Sequence, residues 1–289
     1  MIPSAFDYQR PTSLAEAVRL LASRADDAKI LAGGHSLVPT MKLRLANPAL
    51  LIDIGRIPEL SGMREQDGRL IIGSCTTHYA LESSSLVQQR CPLLAETAAA
   101  IGDVQVRNRG TIGGSIAHAD PAADWPAAIL ALGAQIKLVH SNGERLVQAT
   151  DFFVDLFTTA MENREILTEI HVPVASPRTG SAYLKVAQPA SGFALTGVAA
   201  QVTLGANDTV QNVAVGVTGV GNVAYRASAT EQALQGQRAT AEAIANAANM
   251  AADGAEALED IHASADYRLH LARVYAKRAL QRAVERARS

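Results

Sequence analysis

Lys29-Ile30-Leu31-Ala32-Gly33-Gly34-His35-Ser36-Leu37 decides how the chain is read. Lys29 to Leu31 forms a short apolar strand that runs directly into two adjacent glycines. With no Cβ in the way, such a loop turns sharply and lets main-chain N–H groups approach an anion closely. Ser36 adds a hydroxyl donor. Upstream, Thr12 to Arg24 is predicted as a helix: Ser13 and Glu16 have capping-box spacing, and Leu14, Val18 and Leu21 share a face. Downstream, Leu50 to Ile54 is a second short strand. The opening is a small β-α-β-like unit with a glycine turn after a strand.

The same logic recurs at Thr111-Ile112-Gly113-Gly114-Ser115, a second glycine pair between hydroxyl residues. One Gly-Gly pair is more often a plain turn. Two hydroxyl-flanked pairs leave open either two turns or a shared cradle for one diphosphate. Ala119-Asp120-Pro121-Ala122-Ala123-Asp124 follows. An aspartate here reads as the N-cap of the helix starting near Trp125, or as a carboxylate accepting hydrogen bonds from ligand hydroxyls. Gly219-Val220-Gly221-Asn222 fits the loose glycine spacing of dinucleotide sites. Its preceding strand, however, alternates Val213, Val215 and Val217 against Ala214 and Gly216. That suits an antiparallel sheet packed on one face, not a βαβ unit.

The remaining pattern is α+β. Asp67-Gly68 and Asn142-Gly143 signal hairpins, the first before a strand Leu70 to Ser74 and the second joining Ile136–His140 to Leu146–Gln148. Thr76 or Thr77 starts a helix; Pro92 to Ile101 is another, with Pro near its start and Gly102 near its end. Pro173 to Gly180 marks a domain boundary. Beyond it, Ala182–Lys185, Val198–Leu204 and Val210–Val217 are strands, the last two antiparallel across Asn207-Asp208. Ser228 and Glu231 have capping-box spacing, and the final helix spans about Ala265 to Arg286.

Bulk properties narrow the function classes. The chain has 289 residues and a formal net charge of -2, without the basic surplus of a nucleic-acid reader. Its two cysteines, Cys75 and Cys91, are too few for a four-thiolate cluster or a Cys-rich zinc site and are expected as buried thiols. The seven histidines show no metal spacing. No apolar stretch approaches the roughly 20 residues of a membrane span, and the start has no signal-peptide pattern, so the cytoplasm is the expected compartment. No nucleophile elbow or Walker loop is present, and neither a catalytic residue nor a metal ligand is nominated.

Taken together, residues 32–60 and 111–134, with the opening 6–21 and the closing 266–287, resemble the FAD-binding medium subunit of carbon monoxide dehydrogenase-type molybdenum hydroxylases; the xanthine dehydrogenase FAD domain is a more distant relative. The resemblance implies an α+β fold of the PCMH/vanillyl-alcohol-oxidase type. Two FAD-binding subdomains, 1–57 and 58–176, would precede a C-terminal domain, 177–289, with a three-stranded antiparallel sheet and helices. It also implies the site. Ala32, Gly33, Gly34, His35 and Ser36, with Thr111, Ile112, Gly113, Gly114 and Ser115, would hold the FAD diphosphate, and Leu37 beside the first loop would also bind the cofactor. Asp120 and Asp124 belong to the contacting aspartate stretch. Leu167 would give a main-chain flavin contact, Lys185 would be a lysine near the flavin, and Ile101 would lie beside the cofactor. Thr77 would belong to the loop near the isoalloxazine, and Phe193 would stand where relatives carry an aromatic beside the flavin.

Departures from the family pattern are Val186-Ala187-Gln188-Pro189 in place of basic residues, Gly192 where a relative can carry an acid, and Ser115 where asparagine is common. They bear on the flavin potential and the acceptor surface rather than on FAD binding. The resemblance implies a small partner with [2Fe-2S] clusters and a large partner with the molybdenum cofactor, assembled as a dimer of heterotrimers, with electrons leaving FAD for an external acceptor. Two other classes stay open from the residues alone: a self-sufficient flavin oxidase or reductase, and a non-catalytic protein with structural glycine turns.

Overall fold

The computed structural model describes all residues, 1–289. Three main sheets follow one another along the chain, each with its own apolar core. The first is parallel: Leu50–Asp53 lies between Asp7–Gln9 and Ala28–Leu31. Helix Leu14–Arg24 covers it with Ala17, Val18 and Leu21. Its cap closes as the spacing predicts, with the Ser13 hydroxyl accepting from the Glu16 N–H. The Glu16 carboxylate, however, reaches back to the Thr12 N–H at 2.8 Å.

The second sheet is antiparallel and five-stranded, with Ile166–Pro173 between Arg69–Gly73 and Gln135–His140. Its two hairpins form where glycine follows a turn residue. Asp67 and Gly68 both take positive φ, 50° and 70°, which only the primed turns require. The third sheet pairs Thr179–Ala187, Ala194–Leu204 and Val210–Thr218 antiparallel, and a two-residue strand, Tyr225–Arg226, extends its edge. The long helix Ala265–Arg288 packs on this sheet, capped by Ser264. Gly180 makes that packing possible: a Cβ there would lie 2.0 Å from the Ala283 carbonyl oxygen.

Helix Trp125–Ala131 is the wedge between the second and third sheets, with all seven residues buried. It lies so close to the third sheet that a Cβ on Gly216 would meet the Ala127 oxygen at 2.1 Å. The Gly219-Val220-Gly221 stretch follows an antiparallel strand, and its backbone is held by Pro121 and Arg268. It is a structural turn. One expectation fails: Ser228 does not cap its helix. Ala227 occupies the cap position, and Glu231 is drawn instead to the Arg226 guanidinium and the Val215 N–H, both 2.6 to 2.7 Å away. Both cysteines are buried and free; burial pushes Cys75 up to about 11 and Cys91 up to about 12. No helix is long and apolar enough to cross a membrane.

Candidate functional site

The two glycine loops meet. A Cβ on Gly33 would lie 2.1 Å from the Arg109 carbonyl oxygen and 3.1 Å from the Gly110 Cα, just before the second loop. Gly34 has φ +78°, in the left-handed region that glycine tolerates, and a Cβ there would press on Leu31 and Val38 at 3.2 Å. Glycine at these positions is therefore a geometric requirement. The loops floor a cavity of about 730 Å³, within the usual range for cofactor and ligand sites.

The loops contribute unequally. The amides of Gly33, Gly34, His35 and Ser36 donate to nothing in the chain and form a run of free donors at the cavity. Successive free amides of this kind make an anion-binding concavity. In the second loop, Ile112 donates to the Thr76 carbonyl and Gly113 to the Ser74 carbonyl, while Gly114 donates to the Thr111 hydroxyl and Ser115 to the Thr111 carbonyl. That loop offers hydroxyls and close approach rather than backbone donors. Ile112 is fully buried in the core and does not face the cavity.

Of the remaining expected residues, Leu37, Ile101, Asp120, Asp124, Leu167 and Phe193 line the same cavity as Ala32–Ser36, Thr111 and Gly113–Ser115. Thr77 does not. It caps helix His78–Ser83 through the Ala80 N–H and bridges to Thr111, so it braces the second loop. Lys185 also stands off the cavity. Its Nζ lies 2.9 and 3.0 Å from the two oxygens of Asp124 and 2.6 Å from the Gly192 carbonyl oxygen. The Tyr183 hydroxyl donates to the same carboxylate. Burial pushes the Asp124 carboxyl up, while Lys185 and Tyr183 hold it back. Burial and the Asp124 charge raise Tyr183 far above the ordinary phenol range. Asp124 sits at the helix N-cap position but makes no capping hydrogen bond, because this pair claims its oxygens.

Gly192, where a relative can carry an acid, has φ +74° and packs against Gly102, with a Cβ position 3.2 Å from the Gly102 Cα. An acid side chain would be strained there in this backbone. Phe193 follows at the rim, 43% exposed.

Several lining residues carry no local sequence signal. Ser74 lines the cavity with a buried Oγ that has no partner. His78 reaches it through a contact with Trp125, 47 positions away. Phe157 is a bulky residue at φ 52°, an uncommon backbone state, and its ring stands 5.1 Å from that of His118. With Thr158, Thr159, Met161 and Glu162 it forms one wall.

The donor set fits FAD on observations of this chain: a run of free amides for a diphosphate, an orphaned buried hydroxyl at Ser74, and apolar and aromatic side chains at Ile101, Leu167 and Phe193 for a ring system.

Known proteins agree over the whole length. Residues 4–175 match the family model described as the FAD binding domain in molybdopterin dehydrogenase, and residues 181–283 match the CO dehydrogenase flavoprotein C-terminal domain. The chain is 45% identical to the carbon monoxide dehydrogenase medium chain of Hydrogenophaga pseudoflava, covering 98% of each. It is 38% identical to the 6-hydroxypseudooxynicotine dehydrogenase complex subunit alpha of Paenarthrobacter nicotinovorans, over 100% of this chain and 97% of that one. In three dimensions it superposes on a chain of solved Hydrogenophaga pseudoflava carbon monoxide dehydrogenase with a TM-score of 0.96 at 46% identity, covering 99% of each.

Proposed function

Since the chain belongs to the family of FAD-binding medium subunits of carbon monoxide dehydrogenase-type molybdenum hydroxylases, we propose that it is the electron-transferring flavoprotein of a three-chain oxidoreductase. Its partners would be a small chain with [2Fe-2S] clusters and a large chain with the molybdenum cofactor, paired as a dimer of heterotrimers in the cytoplasm. When bound, FAD supplies the redox centre that takes electrons from the iron–sulfur chain and releases them to an external acceptor.

This chain's residues bind and orient. The free amides of Gly33 to Ser36 hold the diphosphate, with the Ser115 hydroxyl beside them. Ile101, Leu167 and Phe193 flank the ring system, and Asp124, fixed by Tyr183 and Lys185, presents a rigid carboxylate edge. Lys185 acts on the flavin through that carboxylate and the Gly192 carbonyl rather than by direct contact. The related complexes are named for substrates as different as carbon monoxide and 6-hydroxypseudooxynicotine, which supports assigning substrate choice to the large partner.

The observation that carries this reading is the row of four unpaired amides on residues 33–36, which line one cavity together with the second glycine loop. The test is to co-express the chain with its genomic neighbours, purify the complex and record its visible spectrum before and after acid release. FAD near one per copy of this chain, with iron–sulfur absorbance only when partners co-purify, is expected. Absence of flavin from the intact complex and from the chain refolded with excess FAD would remove the reading.

A further inference from the structure

His78 begins the helix His78–Ser83 and is 4% exposed, yet it lines the cavity. Its Nδ1 accepts a hydrogen bond from the Trp125 indole Nε1 at 3.1 Å. An indole nitrogen only donates, so Nδ1 must present a lone pair, and the neutral ring carries its proton on Nε2. Burial, reinforced by His35 and Arg107, pulls the imidazole down to about 4, so this tautomer persists at neutral pH.

The Nε2–H has no acceptor in the chain, while its surroundings point to one outside it. A Cβ on Gly110 would lie 2.6 Å from Nε2, and the Gly110 Cα is itself what a Cβ on Gly33 would meet at 3.1 Å. The donor edge of the imidazole therefore stands where the two glycine loops touch. His78, Gly33, Gly110 and Thr111 all line the cavity at that junction. Glycine at position 110 leaves room for the ring to come this close. Phe at position 125 would fill space similarly, but only an indole or another donor fixes which nitrogen of His78 carries hydrogen.

Building on the FAD assignment above, we propose that His78 donates its Nε2–H to an oxygen in the phosphate–ribityl segment of the cofactor, and that Trp125 is the positioning residue that selects the donating tautomer. Both residues act on binding and orientation of the cofactor and neither takes part in electron transfer.

The test uses the full-length chain, titrated with FAD and followed by flavin fluorescence, with ¹⁵N imidazole and ³¹P spectra of the same samples. In the wild type, the His78 Nε2 resonance is expected to carry the proton and to shift when FAD is added. His78→Phe should weaken FAD binding about tenfold to a hundredfold, as loss of a buried hydrogen bond to a charged or polar oxygen does. His78→Gln, which can place an amide N–H near the Nε2 position, should recover most of that loss. Trp125→Phe should mix the two tautomers in the ¹⁵N spectrum and weaken binding by a smaller factor. A ³¹P shift between wild type and His78→Phe would place the acceptor on the diphosphate; weakened binding with unmoved ³¹P lines would place it on the ribityl chain.

Wild-type FAD affinity retained in a folded His78→Phe chain would overturn the proposal. Should that variant not fold, an Nε2 resonance in the wild type that ignores FAD would overturn it equally. Failure of the wild type to bind FAD at all is a separate result, and removes the cofactor reading itself.

Discussion

Replacing Gly33 with alanine should separate cofactor binding from folding. The new Cβ would sit 2.1 Å from the Arg109 oxygen, which is backbone and cannot swing aside. Ordinary carbon–oxygen contact needs about 3.3 Å, so the loops must part by roughly 1 Å. Hydrogen bonds from amides span only about 2.7–3.2 Å, and a 1 Å displacement takes donors on the Gly33–Ser36 run out of range of a fixed diphosphate. Losing two such bonds to a charged group costs about 3–6 kcal/mol, a factor of roughly 10² to 10⁴ in Kd. The core beneath is untouched, so the apo chain should keep its circular dichroism. The assay is FAD titration of wild-type and Gly33→Ala chains, with thermal melts of both without cofactor. A folded Gly33→Ala chain that binds FAD within threefold of wild type would refute the argument that loop contact sets donor placement.

Three further predictions use other parts of the site. The unfolded chain protonates His78 near 6.5 but the folded chain only near 4. The unfolded state thus holds the extra proton between these values, and stability is lost as pH falls through that window, by up to about 3 kcal/mol. Denaturant melts at pH 7 and pH 4 should show this loss in wild type and not in His78→Gln; equal losses would remove His78 as the source. Lys185→Met breaks a buried ion pair and should destabilise the fold by about 3–5 kcal/mol. Adding Asp124→Asn should cost less than the two single losses combined, and strict additivity in denaturant melts would contradict the coupling. Phe157→Gly relieves a left-handed backbone and should stabilise the apo chain by about 1 kcal/mol while weakening FAD binding; stabilisation without any loss of affinity would show that the strained aromatic does not serve the site.

Features fixed by local backbone chemistry were legible in the sequence. The Asp67-Gly68 and Asn142-Gly143 hairpins and the Ser13 cap depend on a few adjacent residues and formed as read, and the close approach at Gly33 and Gly34 follows from their lack of a side chain. Which loop keeps its amides free was not legible. That depends on the carbonyls of Ser74 and Thr76, more than thirty positions before the second loop, which consume two of its donors. The Ser228 cap was lost to a similar tertiary competition, with Arg226 and the Val215 N–H outbidding the local pairing. The His78–Trp125 bond joins two elements that only folding brings together. For Lys185 a usable signal existed: Tyr183 and Lys185 are two apart on one strand, so they share a face and can grip one carboxylate.

The wall that Asp120, Ala123 and Asp124 contribute to the cavity belongs to a stretch whose long-range supports come from beyond residue 181. Gly219 and Ala194 donate their amides to the Pro121 and Ala122 carbonyls, and the Thr218 hydroxyl lies 2.8 Å from the carbonyls of Pro121 and Ala123. Tyr183 and Lys185 clasp Asp124. The stretch that matches the FAD-binding model ends at residue 175, before every one of these supports. A gene fission or recombination breakpoint between the two matched segments would sever the wall from its buttress. Grafting the first segment alone onto another scaffold would transfer the floor of the site without the supports of its far side.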